Sequence, residues 1–213
     1  FLQFRNNGYQ LTKFIEPSRT FSFVDDISLI TVQNGIYPHV PWIEIYLRLN
    51  NTPLGAWSCI SPDVGGLKFY VFDKVSADIW WSQGNGWGYS QFDNLHCTGY
   101  NYPCIEFPTS TTDLTSLGLG IVQDSTWFRR AADFLAQIPN GNKVIAMSFG
   151  DAHTQNWPEY LYKAFDTIGS NYIRNIQNNL PFIINGEKAS LGLANELLGQ
   201  SDTVLLVMKD SII

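Results

Sequence analysis

The stretch IPNGNKVIAMSFGDAHT, residues 138–154, decides the fold of this chain. Turn-forming residues at 139–142 lead into Lys143 to Phe149, which is short, apolar and rich in β-formers, so a buried strand is predicted there. Three further segments follow closely: WPEYLYKAFDTIGS at 157–170, LPFIINGEKA at 180–189 and DTVLLVMK at 202–209. Strand, helix, strand and turn signals alternate along them. This order predicts helices packed against a β-sheet.

The segment after the predicted strand has the pattern of an amphipathic helix. Asn156 is a candidate N-cap, and Pro158 lies in the first turn, where its missing N–H removes no hydrogen bond. Gly169 is expected to end the helix. The apolar residues that share one face are Leu161, Ala164, Phe165 and Ile168.

A second amphipathic helix is predicted before the strand. Ser125 is its candidate N-cap, and Arg129, Arg130 and Asp133 are expected to face water. Apolar residues recur at three- and four-residue spacing, as a helix packed on a sheet requires. They are Phe128, Ala131, Leu135 and Ile138.

The predicted fold class is α+β, with mixed β-sheets in a β-sandwich-like arrangement and two or more flanking helices. Two upstream segments, Ile27 to Gly35 and Leu67 to Lys74, supply early strands. We expect one domain over residues 1–213, with an insertion rich in aromatic residues and cysteine at about 76–112. The chain starts at Phe1 without an initiator Met or a signal peptide, so we expect a fragment of a longer protein.

Composition narrows the classes of partner. Of the 213 residues, 45% are hydrophobic and 15% are charged, which is enough apolar material for a substantial core. No apolar run approaches the length that spans a bilayer, so no membrane insertion is expected. The formal net charge of -6 argues against a nucleic-acid surface, because phosphate binding needs clustered Lys and Arg. Zinc motifs and phosphate-cradling glycine loops are lacking, so no metal or cofactor is expected.

Several of these elements carry residues at the positions of a known family pattern. They are Phe134-Leu135, Ile138-Pro139, Gly141, Asp151, Ile168-Gly169-Ser170 and the segment from Phe182 to Lys188. On these residues the chain resembles the interleukin-like EMT inducer domain. That domain is found in PANDER-like secreted cytokines, in hyaluronidase-like surface proteins and in the stem of a protein O-mannose GlcNAc-transferase. The resemblance implies an extracellular or cell-surface location.

The run from Trp157 to Lys188 is also similar to repeats in very large Bacteroidetes surface proteins. Those proteins carry a gingipain-like, sortase-type peptidase domain associated with type IX secretion. The resemblance implies a non-catalytic module that binds a protein or a glycan, or that spaces the other domains of its parent chain. The alternative is an accessory substrate-docking domain of a type IX secretion sortase-like cysteine peptidase. A catalytic role within this chain ranks third.

Asp151 and His153 form a candidate polar pair at the end of the predicted strand. In an extended segment they share a face and could act as a carboxylate–imidazole pair or as two metal ligands. Alternatively, Asp151 braces its loop and His153 is solvated. The resemblance adds a role in glycan binding for Asp151, because the corresponding Asp of the glycosyltransferase stem takes part in it. The Arg that partners that Asp has no counterpart here, since Gly65-Gly66 occupies its place.

An aromatic run in the insertion is the other candidate binding site. Trp80, Trp81, Trp87 and Tyr89 lie among glycines and small polar residues, which do not bury large rings efficiently. Exposed rings at this density favour a partner, and sugar rings present apolar C–H faces to them. The alternative is that Trp80 and Trp81 end a strand and that the loop packs on itself.

Three cysteines are present, and two of them bracket a short segment. Cys97 and Cys104 enclose Thr-Gly-Tyr-Asn-Tyr-Pro, which closes easily on itself, so a disulfide is predicted between them. The alternative is two reduced, partly buried thiols. Cys59 is left over and is expected to be a small buried hydrophobic residue.

Overall fold

The computed structural model describes residues 11–15, 20–24, 27–35, 46–49, 52–53, 65–75, 78–80, 104–109, 124–177, 180–190, 192, 194–200 and 203–211. The helices within these ranges are α1 (Asp124–Gln137) and α2 (Glu159–Asp166). The strands are β1 (Leu11–Ile15), β2 (Thr20–Val24), β3 (Ile27–Gly35), β4 (Tyr46–Leu49), β5 (Thr52–Pro53), β6 (Gly66–Phe72), β7 (Ile105–Pro108), β8 (Lys143–Phe149), β9 (Phe182–Glu187), β10 (Asn195–Leu198) and β11 (Thr203–Ser211).

The strands of the described ranges form three sheets. β1 and β2 pair alone, a four-stranded sheet has the order β11-β3-β4-β5, and a five-stranded sheet has the order β10-β9-β8-β6-β7. All of these pairs are antiparallel. The strand predicted at 143–149 is β8, the centre of the five-stranded sheet. Together with the two helices, these sheets confirm the α+β fold class.

Both helices pack on one face of the five-stranded sheet. The ring of Phe69 in β6 lies 5.5 Å from that of Phe134 in α1 and 5.9 Å from that of Phe165 in α2, measured between centroids. Phe107 of β7 and Phe182 of β9 extend this cluster, and all five side chains are at most 2% exposed. Each such ring stabilises the fold by roughly 1.5–3 kcal/mol relative to an exposed one. This aromatic layer fixes the helices on the sheet.

The helix predictions are right in their apolar faces and wrong at their starts. Phe128, Ala131, Leu135 and Ile138 are buried, and so are Leu161, Ala164, Phe165 and Ile168. Ser125 is not the N-cap, because α1 already begins at Asp124.

The start of α2 and the exposure of one arginine also differ from the predictions. Asn156 belongs to a 3-10 turn, and the N-cap of α2 is Pro158, which has extended backbone. The residue before a proline avoids helical geometry, so α2 cannot start as early as Asn156. Arg129 and Asp133 are exposed as predicted. Arg130 is half-buried, with its guanidinium 5.2 Å from the ring centroid of Trp127.

The opposite face of the five-stranded sheet is buried as well. Its residues Tyr70, Ile145, Met147 and Ile183 are at most 1% exposed. Asn34 of β3 donates hydrogen bonds to Ser148 Oγ at 2.8 Å and to the carbonyl oxygen of Phe182 at 2.9 Å. The four-stranded sheet therefore contacts the five-stranded one, as a sandwich-like arrangement requires.

Residues of the family-like pattern hold the helices in place. Lys188 Nζ donates to the carbonyl oxygen of Leu135 at 2.5 Å and to Thr167 Oγ1 at 2.9 Å, which ties the C-terminal turn of α1 to the turn after α2. Gly186 leaves room for the carbonyl oxygen of Ile168, which would lie 1.9 Å from a Cβ at this position. Ser170 donates to Glu196 Oε2 at 2.7 Å. The pattern thus encodes architecture at these positions.

Helices long and apolar enough to cross a lipid bilayer are lacking in the part of the chain that the structure describes.

Candidate functional site

One end of the five-stranded sheet gathers two polar features. β7, β8 and β10 end there, while β6 and β9 begin there, as the antiparallel registers require. The first feature is the loop from Asp151 to His153, directly after β8. The second is a cleft beside the start of β9 and the end of β10.

Asp151 and His153 do come together, but in a turn and not in the extended segment predicted from the sequence. Asp151 Oδ2 lies 3.1 Å from His153 Nδ1, and Asp151 Oδ1 accepts the backbone N–H of His153 at 2.8 Å. His153 has the left-handed conformation, with φ of 48°. Both carboxylate oxygens of Asp151 therefore contact His153, and the hydrogen bond to its backbone N–H is that of an Asx-turn. The arrangement matches the alternative in which Asp151 braces its loop.

Neighbouring segments fix the same loop. Thr109 Oγ1 donates to the carbonyl oxygen of Asp151 at 3.3 Å, and Trp157 Nε1 donates to that of Ala152 at 2.8 Å. Tyr162 Oη donates to the carbonyl oxygen of Thr154. The backbone of Gly65 approaches so closely that a Cβ there would lie 1.8 Å from the carbonyl oxygen of Asp151. The loop is thus anchored by β6, β7 and α2.

A Cys–His catalytic pair does not form between Cys104 and His153. Cys104 precedes β7, whereas Thr109, which contacts the Asp151 loop, follows it. Five residues of extended chain separate these positions, which is roughly 16 Å. The sheet therefore keeps the buried thiol and the imidazole apart. Groups of three or more His, Cys, Asp or Glu side chains placed to bind a metal are lacking in the described ranges.

Trp80 is part of the core, so the prediction that it offers a ring to a ligand is wrong. Its side chain is 2% exposed and its ring contacts that of Phe134 edge-on, with 6.3 Å between centroids. Its backbone N–H donates to the carbonyl oxygen of Val71 at 2.9 Å, which holds this segment beside β6. Its position agrees with the alternative, in which the Trp80 side chain points into the core.

Four other predicted residues lie outside the described residues. They are Trp81, Trp87, Tyr89 and Cys97. Cys104 is a free, fully buried thiol whose Sγ lies 3.9 Å from Glu106 Oε1. The disulfide with Cys97 is therefore not observed, and it stays a prediction.

A buried ion pair beside Cys104 was missed by the sequence reading. Lys68 Nζ lies 2.9 Å from Glu106 Oε1, with both side chains 1% exposed, and the two residues face each other across β6 and β7. The Phe149 ring centroid is 5.1 Å from the same Nζ. Burial alone would lower the pKa of Lys68, but the Glu106 carboxylate holds that pKa above its usual range. The ammonium group of Lys68 is therefore stabilised in its charged form inside the fold.

The sequence contained one signal for this pair. A lysine within the apolar run LKFYVF must find a partner once the strand is buried on both faces. No feature of the sequence near Lys68 identifies Glu106 as that partner. Its identity depends on the register between β6 and β7.

The cleft at the sheet end encloses about 380 Å³. Ile176, Leu180 and Leu198 supply its apolar lining. Three carboxamide side chains surround them, those of Asn175, Gln177 and Gln200. All three residues are exposed, and within the described ranges their amide groups have no hydrogen-bond partner. We call this feature the amide cleft.

The lining residues of the amide cleft that the structure describes carry no charge. The nearest charged neighbour in sequence is Arg174, whose guanidinium lies 2.7 Å from Asp166 Oδ1 and 3.0 Å from Glu159 Oε1. These contacts hold Arg174 against α2. The described lining therefore offers hydrogen-bond donors and acceptors beside apolar side chains, and none of its residues has a charge.

No protein-family model matches the chain, and a search of curated proteins finds no match.

Burial of Cys104 has a measurable consequence for stability at alkaline pH. Burial raises the pKa of this thiol, although Lys68 opposes the rise. The unfolded chain loses the thiol proton above about pH 8.5, while the folded chain keeps it, so the folded state binds more protons. The free energy of unfolding is expected to fall by up to about 1.4 kcal/mol per pH unit from this group.

Urea denaturation at pH 8.5 and 9.5 checks this expectation, with Cys104→Ala as the matched variant. The variant is less stable at neutral pH because a buried side chain is truncated, but its stability falls less between the two pH values. An equal decrease in the free energy of unfolding in both proteins would show that the folded state does not raise the pKa of the Cys104 thiol.

Proposed function

We propose that the chain is a non-catalytic binding module of a secreted or cell-surface protein, with a glycan or a protein as its ligand. The alternative non-catalytic role is to space the other domains of a longer parent chain. The observation that carries the proposal is the amide cleft, because its three carboxamides are exposed and unengaged within the described ranges. Clefts of this kind, with polar groups around an apolar lining, are where proteins bind small ligands.

The ionisable side chains support the non-catalytic part of the proposal. Three of these side chains are buried in the core and are therefore inaccessible to a substrate: Lys68, Glu106 and Cys104. Asp151 and His153 are engaged with each other and with their own backbone. A general base needs a free position for the proton that it abstracts, and a nucleophile beside it. The resemblance to the interleukin-like EMT inducer domain is consistent with such a module.

The proposal is tested by measuring binding and turnover together. The 213-residue chain is incubated with a panel of glycans and extracellular proteins, and bound material is recovered and analysed by mass spectrometry. Recovery of an unaltered ligand is the expected result. Chemical conversion of a ligand that disappears in the variant His153→Asn would contradict a non-catalytic module, since Asn tolerates the left-handed backbone at this position.

A further inference from the structure

We propose that the amide cleft binds an uncharged pyranose residue of a glycan. This inference deepens the proposed function and rests on it, because it names both the site and the class of ligand. It stands apart from Asp151, which belongs to the loop after β8, and from the aromatic run of the insertion.

The hydrogen-bonding chemistry of the cleft favours hydroxyl groups. A carboxamide has two donor hydrogens and an oxygen that accepts, so it matches a hydroxyl group that donates and accepts at once. Asn175, Gln177 and Gln200 supply three such groups around one cleft. A ligand with several hydroxyl groups on a rigid ring can engage them together at a low cost in conformational entropy.

The apolar lining fits the other half of a sugar. A pyranose ring presents a C–H face as well as hydroxyl groups, and the partly buried Leu180 and Leu198 offer an apolar surface of matching kind, whereas Ile176 is buried. Leu180 and Leu198 also pack against the core, which makes this part of the cleft firm. The volume of about 380 Å³ is at the lower end of the range for small-ligand sites.

Charge disfavours acidic sugars as the main ligands. None of the lining residues that the structure describes is charged, and the guanidinium of Arg174 is engaged with Asp166 and Glu159. Among these residues, a carboxylate or sulfate group would have to give up water without meeting a fixed positive charge. An extended peptide is also disfavoured, because peptide recognition uses a long strand edge or a continuous apolar groove. The described apolar lining consists of three side chains.

The experiment titrates the ¹⁵N-labelled chain with methyl glycosides of mannose, galactose, glucose and N-acetylglucosamine. An array of neutral and acidic oligosaccharides and a set of peptides are screened in parallel. The test variant is Gln177→Ala with Gln200→Ala, and the matched control is Asn195→Ala, an exposed carboxamide on β10 outside the cleft. Thermal unfolding confirms that both proteins fold.

We expect a neutral glycoside to bind, with shifts at the amide groups of residues 175–177 and 198–200. Affinity is expected to fall about tenfold or more in the double variant and to stay within about twofold in the control. Neutral-sugar binding that the double variant retains would overturn the cleft as the site and leave the binding function intact. Binding of peptides alone would overturn the ligand class. Failure of all sugar probes would overturn the inference, whereas the proposed function fails only if the extracellular proteins of the earlier panel also do not bind.

Discussion

Replacing Lys68 by Met is expected to lower the free energy of unfolding by about 3–5 kcal/mol. The substitution removes the ammonium group that lies 2.9 Å from the Glu106 carboxylate and leaves that carboxylate buried, at 1% exposed. A buried carboxylate without a counter-charge loses its solvation and gains nothing in return. Urea denaturation followed by tryptophan fluorescence measures the effect.

The double variant Lys68→Met with Glu106→Leu is the matched control. It removes both charges and fills the site with apolar groups of similar size, which is often neutral or stabilising for a buried ion pair. Stability close to that of the unsubstituted chain is therefore expected. A single variant that is fully stable would show that Glu106 is not buried with Lys68. A double variant as unstable as the single one would show that the loss comes from packing and not from charge.

The second large effect is expected at Gly65. Gly65 has a φ of 70°, and a Cβ there would lie 1.8 Å from the backbone carbonyl oxygen of Asp151. The left-handed conformation alone costs an alanine about 1–2 kcal/mol, and the contact with backbone forces the Asp151 loop or β6 to move. We expect Gly65→Ala to lower the free energy of unfolding by about 3 kcal/mol or more.

Gly192→Ala separates the two causes. Gly192 also has positive φ, at 72°, but its nearest neighbour is the side-chain amide of Asn171, at 3.2 Å from the position of a Cβ, and this exposed side chain can move aside. The expected loss is therefore only about 1–2 kcal/mol, from conformation alone. Equal losses in the two variants, measured by urea denaturation, would show that the contact between Gly65 and Asp151 is not tight.

The elements of the C-terminal half could be predicted because their signals are local. β8 lies between a turn and a glycine, and the helical spacing of Phe128, Ala131 and Leu135 survives in the buried face of α1. Trp80 could not be placed in this way. The glycine-rich sequence around it favours an exposed side chain. However, Ile79 forms an antiparallel β-bridge with Phe72, which brings the chain back beside β6, and the Trp80 ring is buried in the core.

The amide cleft could not be predicted from the sequence, for a different reason. Its two halves, around Gln177 and Gln200, are distant in sequence and meet only because β10 pairs with β9. Asn and Gln residues are common on protein surfaces, so neither half is a signal alone. A contact between Asp151 and His153 and a bracing role for Asp151 were both expected from the sequence. The contacts of this loop with Gly65 and Thr109, which flank β6 and β7, were not.

Two groups of residues at the sheet end have different roles in the proposal. Asp151 holds the sheet end together, and we propose that the carboxamides of Gln177 and Gln200 bind the ligand. The most direct measurement compares ligand affinity and stability in Asp151→Asn and in the double variant Gln177→Ala with Gln200→Ala, using the glycan that binds best to the unsubstituted chain. We predict that Asp151→Asn is less stable but keeps its affinity, and that the double variant keeps its stability but loses affinity. Loss of affinity in a fully stable Asp151→Asn protein, with full affinity in the double variant, would contradict the account.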